Sequence, residues 1–243
     1  MKIRLMSDLH LEAAPYKYEP MDEDILILAG DIGEGLRGWV WANENVPGHI
    51  ETFIVPGNHE YYGQNVTALQ KKMRECFGHV KYLLNDSVQF GNINIVGSTL
   101  WTDFNVYGNA PQHGLAWSRG LNDSVYINVD GRRLTANDVQ AWNQMDLAYI
   151  NSASVEGMTN VLVTHYIPEN AVIARWKGHP LTPGFATKIP QHIHEKFQYH
   201  LFGHTHDSVD YYEPYGTHCI CNPRGYSVEN SAGFRHDLIL EIE

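Results

Sequence analysis

Cysteine is scarce in this chain: Cys76, Cys219 and Cys221 are the only three among 243 residues. An odd count without framework spacing argues against a disulfide scaffold and suits a reducing compartment. Cys219 and Cys221 have no second cysteine pair to complete a thiolate zinc site. In a strand both would point to one face, so packing is their expected role. Long apolar runs are missing too, and none approaches the roughly 20 residues needed to cross a bilayer. The opening MKIRLMSDLH carries Lys2 and Arg4 but no apolar h-region, so no secretory signal is expected. The chain therefore reads as cytoplasmic, with no membrane partner. Basic residues are outnumbered, 17 Lys and Arg against 28 Asp and Glu, leaving a net charge of −11. That balance argues against gripping long nucleic acid through many phosphate contacts, so no stable nucleic-acid partner is expected.

What remains is an ordinary globular composition, 43% hydrophobic and 19% charged. The length fits one large domain spanning residues 1–243. Short apolar runs at residues 2–7, 25–29, 52–55, 93–96, 161–164 and 200–202 read as strands. ILILA and NVLVT are apolar on both faces, as interior strands covered on each side should be. Gly91-Asn92 reads as a hairpin turn, and Leu238, Leu240 and Ile242 as a closing edge strand. Asn65 can cap a helix with Val66, Leu69, Met73, Cys76 and Phe77 on one face. Thr135 and Asp138 resemble a capping box, and Pro190 suggests a short helix through Phe197. Strands alternating with helices indicate a layered α/β domain with mixed sheets. Residues 99–133 show no clear period and read as an irregular, insert-like segment, where function often resides. Trp101 is its candidate substrate-binding residue.

The 14 histidines matter by position. Five of the candidate strands run into metal- or phosphate-binding residue types: Asp8-Leu9-His10, Gly30-Asp31, Gly57-Asn58-His59-Glu60, His165 and Gly203-His204-Thr205-His206. Open α/β sheets place ligands at the C-terminal ends of strands. In extended chain Asp8 and His10 point to the same side and can chelate one ion. His204 and His206, in a turn, can diverge to separate ions. Carboxylate, amide and imidazole donors without thiolate suit Mn²⁺, Fe, Zn²⁺, Co²⁺ or Ni²⁺. His192 and His194 also form an H-x-H, but on a helix they lie about 200° apart, so they are not expected to be ligands.

The ordered set D-x-H, G-D, G-N-H-E, H and G-H-T-H resembles the calcineurin-like metallophosphoesterase family. The resemblance implies two mixed β-sheets forming a sandwich flanked by α-helices, with two divalent metal ions, Mn²⁺ foremost. By motif, Asp8, His10 and His206 would bind one ion, Asn58, His165 and His204 the other, and Asp31 would bridge them. His59 would be the acid that protonates the leaving oxygen, oriented by Glu60 if that carboxylate has a catalytic part. A hydroxide generated between the ions would attack phosphorus. The Gly-Asp motif continues Ile32-Gly33-Glu34 and His165 follows Thr164, departures that argue against the protein-phosphatase branch. Arg224 in NPRGY could fork onto a phosphate. The expected substrate is a small phosphomonoester or phosphodiester, nucleotides included, and the alternative is a nuclease. Oligomeric state is not legible.

Overall fold

In the computed structural model, which describes residues 1–229 and 233–242, the apolar runs become two mixed β-sheets. One has five strands in the order Ile239–Glu241, Lys2–Met6, Ile25–Ala29, Glu51–Val55 and Val80–Tyr82, parallel throughout except at the Ile239–Glu241 edge. The other has six: Val209–Tyr212, His218–Cys221, Tyr199–Phe202, Thr159–Thr164, Ile93–Ser98 and Asp86–Phe90. Both of its edge pairings are antiparallel and its interior pairings parallel.

Strand alternation explains how the layers close. Ile25, Ile27 and Ala29 join Ile3, Leu5 and Phe53 against Ile95, Val161, Val163 and Leu201 of the other sheet. The opposite residues, Leu26 and Leu28, pack with Ile54, Leu69 and Met73 beneath the helices. Burying each such side chain contributes roughly 1.5–3 kcal/mol. On the outer face of the six-stranded sheet, Val96 and Leu162 meet Ile150 and Phe197. Phe202, Cys219 and Cys221 meet Ile167 and Val172 there, so the two cysteines do share one buried face.

The expected edge strand and hairpin are present, with Ile3 opposite Leu240 and Phe90 opposite Ile93. Asn65 caps the helix Val66–Arg74, its side chain accepting the Ala68 N–H at 3.0 Å. That helix ends at Arg74, so Phe77, expected on its buried face, is left 81% exposed. The Thr135–Asp138 capping box opens the helix Ala136–Ala153. Pro190 caps a helix of one turn, Gln191–His194, that stops short of Phe197. Among the described residues no helix is long and apolar enough to cross a membrane.

Residues 99–133 are less irregular than their sequence suggests, for they include the helices Ala110–Gly120 and Asp123–Tyr126. The first buries only Gly114 and Trp117, too few positions to register as a period. Trp101 is buried and packs against Tyr61, Trp142 and Tyr166. Trp101→Ala is therefore expected to lower stability by about 3–5 kcal/mol, the usual cost of truncating a core tryptophan. A denaturant titration measures this, and an unchanged midpoint would contradict the packing.

Candidate metal centre

The loops that follow Lys2–Met6, Ile25–Ala29, Glu51–Val55, Thr159–Thr164 and Tyr199–Phe202 converge. Ligand atoms of Asp8, His10 and His206 lie within 4.8 Å of one another, as do those of Asp31, His165 and His204. His206 Nε2 stands 3.5 Å from Asp8 Oδ1. His165 Nε2 stands 3.3 Å from Asp31 Oδ2 and 3.1 Å from Asn58 Oδ1. His59 joins the edge of the cluster, its Nε2 3.9 Å from Asp31 Oδ2. All seven residues expected as ligands are thus brought together.

The backbone pays for this convergence. Asp8, His10, Asp31, His204 and His206 all have left-handed φ values, 52°, 46°, 54°, 72° and 51°. Each such residue costs on the order of 1–3 kcal/mol, and such strain gathers at functional sites. Asp and His tolerate the conformation better than most residues, but nothing in a D-x-H or H-T-H string announces it. Two of the motif glycines serve close approach more than turning. A Cβ on Gly57 would sit 2.2 Å from Asp31 Oδ1, and one on Gly203 would sit 2.7 Å from Asp8 Oδ2. Only Gly30, at φ 85°, also needs the left-handed region.

The hydrogen bond behind each imidazole fixes where its proton sits. His165 Nδ1 is 3.0 Å from the Ala29 carbonyl, which can only accept, so Nδ1 carries the proton. Its Nε2 then turns a lone pair toward Asp31, Asn58 Oδ1 and His204 Nδ1, the last at 3.0 Å. Likewise His10 and His206 give Nδ1 to Glu12 Oε1 at 2.9 Å and Glu229 Oε2 at 2.5 Å. Their Nε2 atoms face each other at 2.9 Å. Lone pairs so arranged require positive charge among them. A proton supplies it in part: burial lowers the His165 pKa, but Asp31 and Asp8 raise it to about 10. A divalent ion in each cluster would satisfy all the donors at once, and the second nitrogens of His165, His10 and His206 are oriented as in metal sites generally. His204 Nε2, buried without a hydrogen-bond partner among the described residues, also fits a polar occupant. Burial pushes Asp31 up, yet His165 and His59 hold it well below the usual carboxylate range, ionised and ready to bind.

A calcineurin-like phosphoesterase family model matches residues 1–208. The chain belongs to the calcineurin-like phosphoesterase family. An uncharacterized protein of Acanthamoeba polyphaga mimivirus is 26% identical over 265 residues, covering 94% of this chain and 92% of its own. Among solved structures, a phosphopantetheinyl hydrolase from Mycobacterium tuberculosis has the same fold, with a TM-score of 0.72 and 17% identity. The alignment covers 94% of this chain and 90% of that one. A dimetal phosphatase from Danio rerio, 14% identical, aligns with a TM-score of 0.47 over 90% of this chain and 86% of its own. Membership of that family makes the protein a metallophosphoesterase, a hydrolase.

Around this cluster the phosphoesterase places residues whose parts the sequence did not disclose. Glu12 Oε1 accepts from His10 Nδ1 at 2.9 Å and from His59 Nδ1 at 3.0 Å, tying the two rings together. Burial pushes the Glu12 pKa up, but those two hydrogen bonds bring it down to about 2. For His59 burial works downward, and Asp31 with Glu12 lifts it to about 9. Glu60 does not orient His59 in this arrangement. Its fully buried carboxylate accepts the N–H groups of Asp31 at 3.0 Å, Gly57 at 2.7 Å and Ile32 at 2.8 Å, stapling the loops after two strands together. Asp123, from the segment 99–133, accepts from Asn58 Nδ2 at 2.8 Å and so aims Asn58 Oδ1 inward.

Two expected substrate residues lie elsewhere. Arg224 gives hydrogen bonds to the carbonyls of Leu9 at 2.9 Å, Ala14 at 3.1 Å and Pro15 at 2.9 Å, bracing the loop behind His10. Trp101 belongs to the core and is not brought to the cluster. What does border His204 and His206 is a cleft of about 680 Å³, walled by Val172, Trp176, Phe185 and Leu121 and edged by Arg175 and Asp207.

Proposed function

We propose that this phosphoesterase hydrolyses small phosphoesters, mono- or diesters, at the mouth of the cleft beside His204 and His206. The observation that carries the reading is the convergence of imidazole lone pairs and carboxylates described above. Asp8, His10 and His206 would hold one divalent ion, Asn58, His165 and His204 the other, with Asp31 between them. Ions so held would lower the pKa of a water toward ~7 and offset the charge of the phosphate. The chain's own residues do the rest. His59 has its Nδ1 steadied by Glu12 at 3.0 Å, which leaves Nε2 to carry the transferable proton. That makes it the donor to the departing oxygen. The apolar wall of Trp176, Phe185 and Val172 receives the organic part of the ester and keeps water from it.

The donor set, four imidazoles with carboxylate and amide oxygens, favours Mn²⁺ or a neighbouring transition ion over Ca²⁺, which prefers six to eight oxygens. Exhaustive chelation is expected to abolish hydrolysis of aryl phosphates and aryl phosphodiesters, and Mn²⁺ to restore it better than Ca²⁺. Full activity in protein shown by metal analysis to be stripped would overturn the reading. Cyclic nucleotides and single-stranded DNA in the same screen separate a small-ester hydrolase from a nuclease.

A further inference from the structure

We infer that His194, His200 and Cys219 form a third metal site, separate from the dinuclear centre and suited to zinc. His200 and Cys219 are register partners on adjacent parallel strands, so their side chains stand together on the outer face of the six-stranded sheet. His194 reaches them from the one-turn helix Gln191–His194. The three ligand atoms lie within 4.8 Å of one another, and each residue is at most 1% exposed.

The hydrogen bonds around the trio hold the outer nitrogen of each ring and leave one His194–His200 hydrogen bond for an ion to replace. Thr164 Oγ1 donates to the Tyr166 carbonyl at 2.8 Å, so it accepts from His200 Nε2, also at 2.8 Å. His200 Nδ1 is then unprotonated and faces His194 Nε2 at 2.8 Å. His194 Nδ1 is held by the Tyr215 hydroxyl at 2.7 Å. Both rings thus have the outer hydrogen bond that metal-bound imidazoles require. Their nitrogen-to-nitrogen spacing repeats the 2.9 and 3.0 Å of the pairs His10–His206 and His165–His204. Burial keeps both rings neutral, the form that binds metal. The sulfur of Cys219 makes the set His₂Cys, mixed imidazole and thiolate donors of the kind that zinc takes. On binding, the thiol loses its proton to solvent. The ion would tie the helix to two strands, one of which runs directly into His204 and His206.

Cobalt(II) loading of the whole protein tests this, because the dinuclear centre has no sulfur ligand. The expected result is three ions per chain and a thiolate-to-cobalt charge-transfer band in the near ultraviolet. The band should persist in Cys221→Ser and vanish in Cys219→Ser, with one ion lost. Wild-type protein with two ions and no thiolate band would mean a hydrogen-bond chain only and overturn the inference. So would a band that disappears with Cys221. The wild-type spectrum decides even if Cys219→Ser does not fold.

Discussion

Asp31→Asn is expected to reduce turnover further than Asp8→Asn, with more metal lost per chain. Asp31 faces both halves of the centre, sharing one group with His165 and His204 and another with His10 and His59. Its Oδ1 also accepts the His59 N–H at 2.8 Å. Asparagine keeps the shape and tolerates left-handed φ, so the change isolates charge. Leaving buried charge uncompensated costs about 3–5 kcal/mol, which as a barrier is roughly 10²–10⁴ in rate. Among the described residues Asp8 shares a ligand group with His10 and His206 alone, and these would continue to hold an ion when its charge is gone. Turnover and metal content of the two variants, measured together, decide the matter. Equal losses at both positions would contradict a bridging Asp31.

His59→Ala is expected to separate substrates by leaving group. Loss of a general acid costs about 10²–10⁴-fold. An alkoxide needs the proton, whereas a nitrophenolate barely does. The variant should therefore keep most bound metal and much nitrophenyl-ester activity while losing alkyl-ester activity heavily. His165→Ala, by contrast, should lose metal and both activities. The geometry agrees in rank: His59 Nε2 is 3.9 Å from Asp31 Oδ2, against 3.3 Å for His165 Nε2. Because Asp31 and Glu12 raise the His59 pKa to about 9, the acid form persists below that value and is lost as pH rises through it. Nearby cations will draw the value down. Wild-type alkyl-ester activity should then decline on an alkaline limb, at or below pH ~9, that His59→Ala does not show. A uniform drop in His59→Ala with metal loss would make His59 a ligand.

Which residues converge was legible because coordination chemistry resides in residue type, and five strand ends carried it in a recognisable order. Orientation was not. Glu12 lies two residues from His10, yet its other partner, His59, is 47 positions away, a distance only the parallel packing of strands closes. Glu60 stands beside His59 in sequence and turns instead to backbone amides, which leave no mark in a motif. Asp123 was hidden in a stretch whose helices bury too few positions to show a period. Trp101 and Arg224 looked functional by type and prove to be packed and braced against the backbone. Aromatic and guanidinium groups serve cores and loops as readily as substrates, and burial alone separates those uses.

The origin of the ligands has a further consequence. Asp8, His10, Asp31 and Asn58 stand at the ends of one sheet, and His165, His204 and His206 at the ends of the other. With the ligands assigned as proposed, each ion draws on both sheets and acts as a rivet through the sandwich. Whatever binds the native state alone stabilises it by mass action, about 2.7 kcal/mol when present at 100 times its Kd. Folding and metal supply are then one equilibrium. A cell short of the ions would hold less folded enzyme as well as less active enzyme, and the left-handed strain at five ligands is the load those rivets carry.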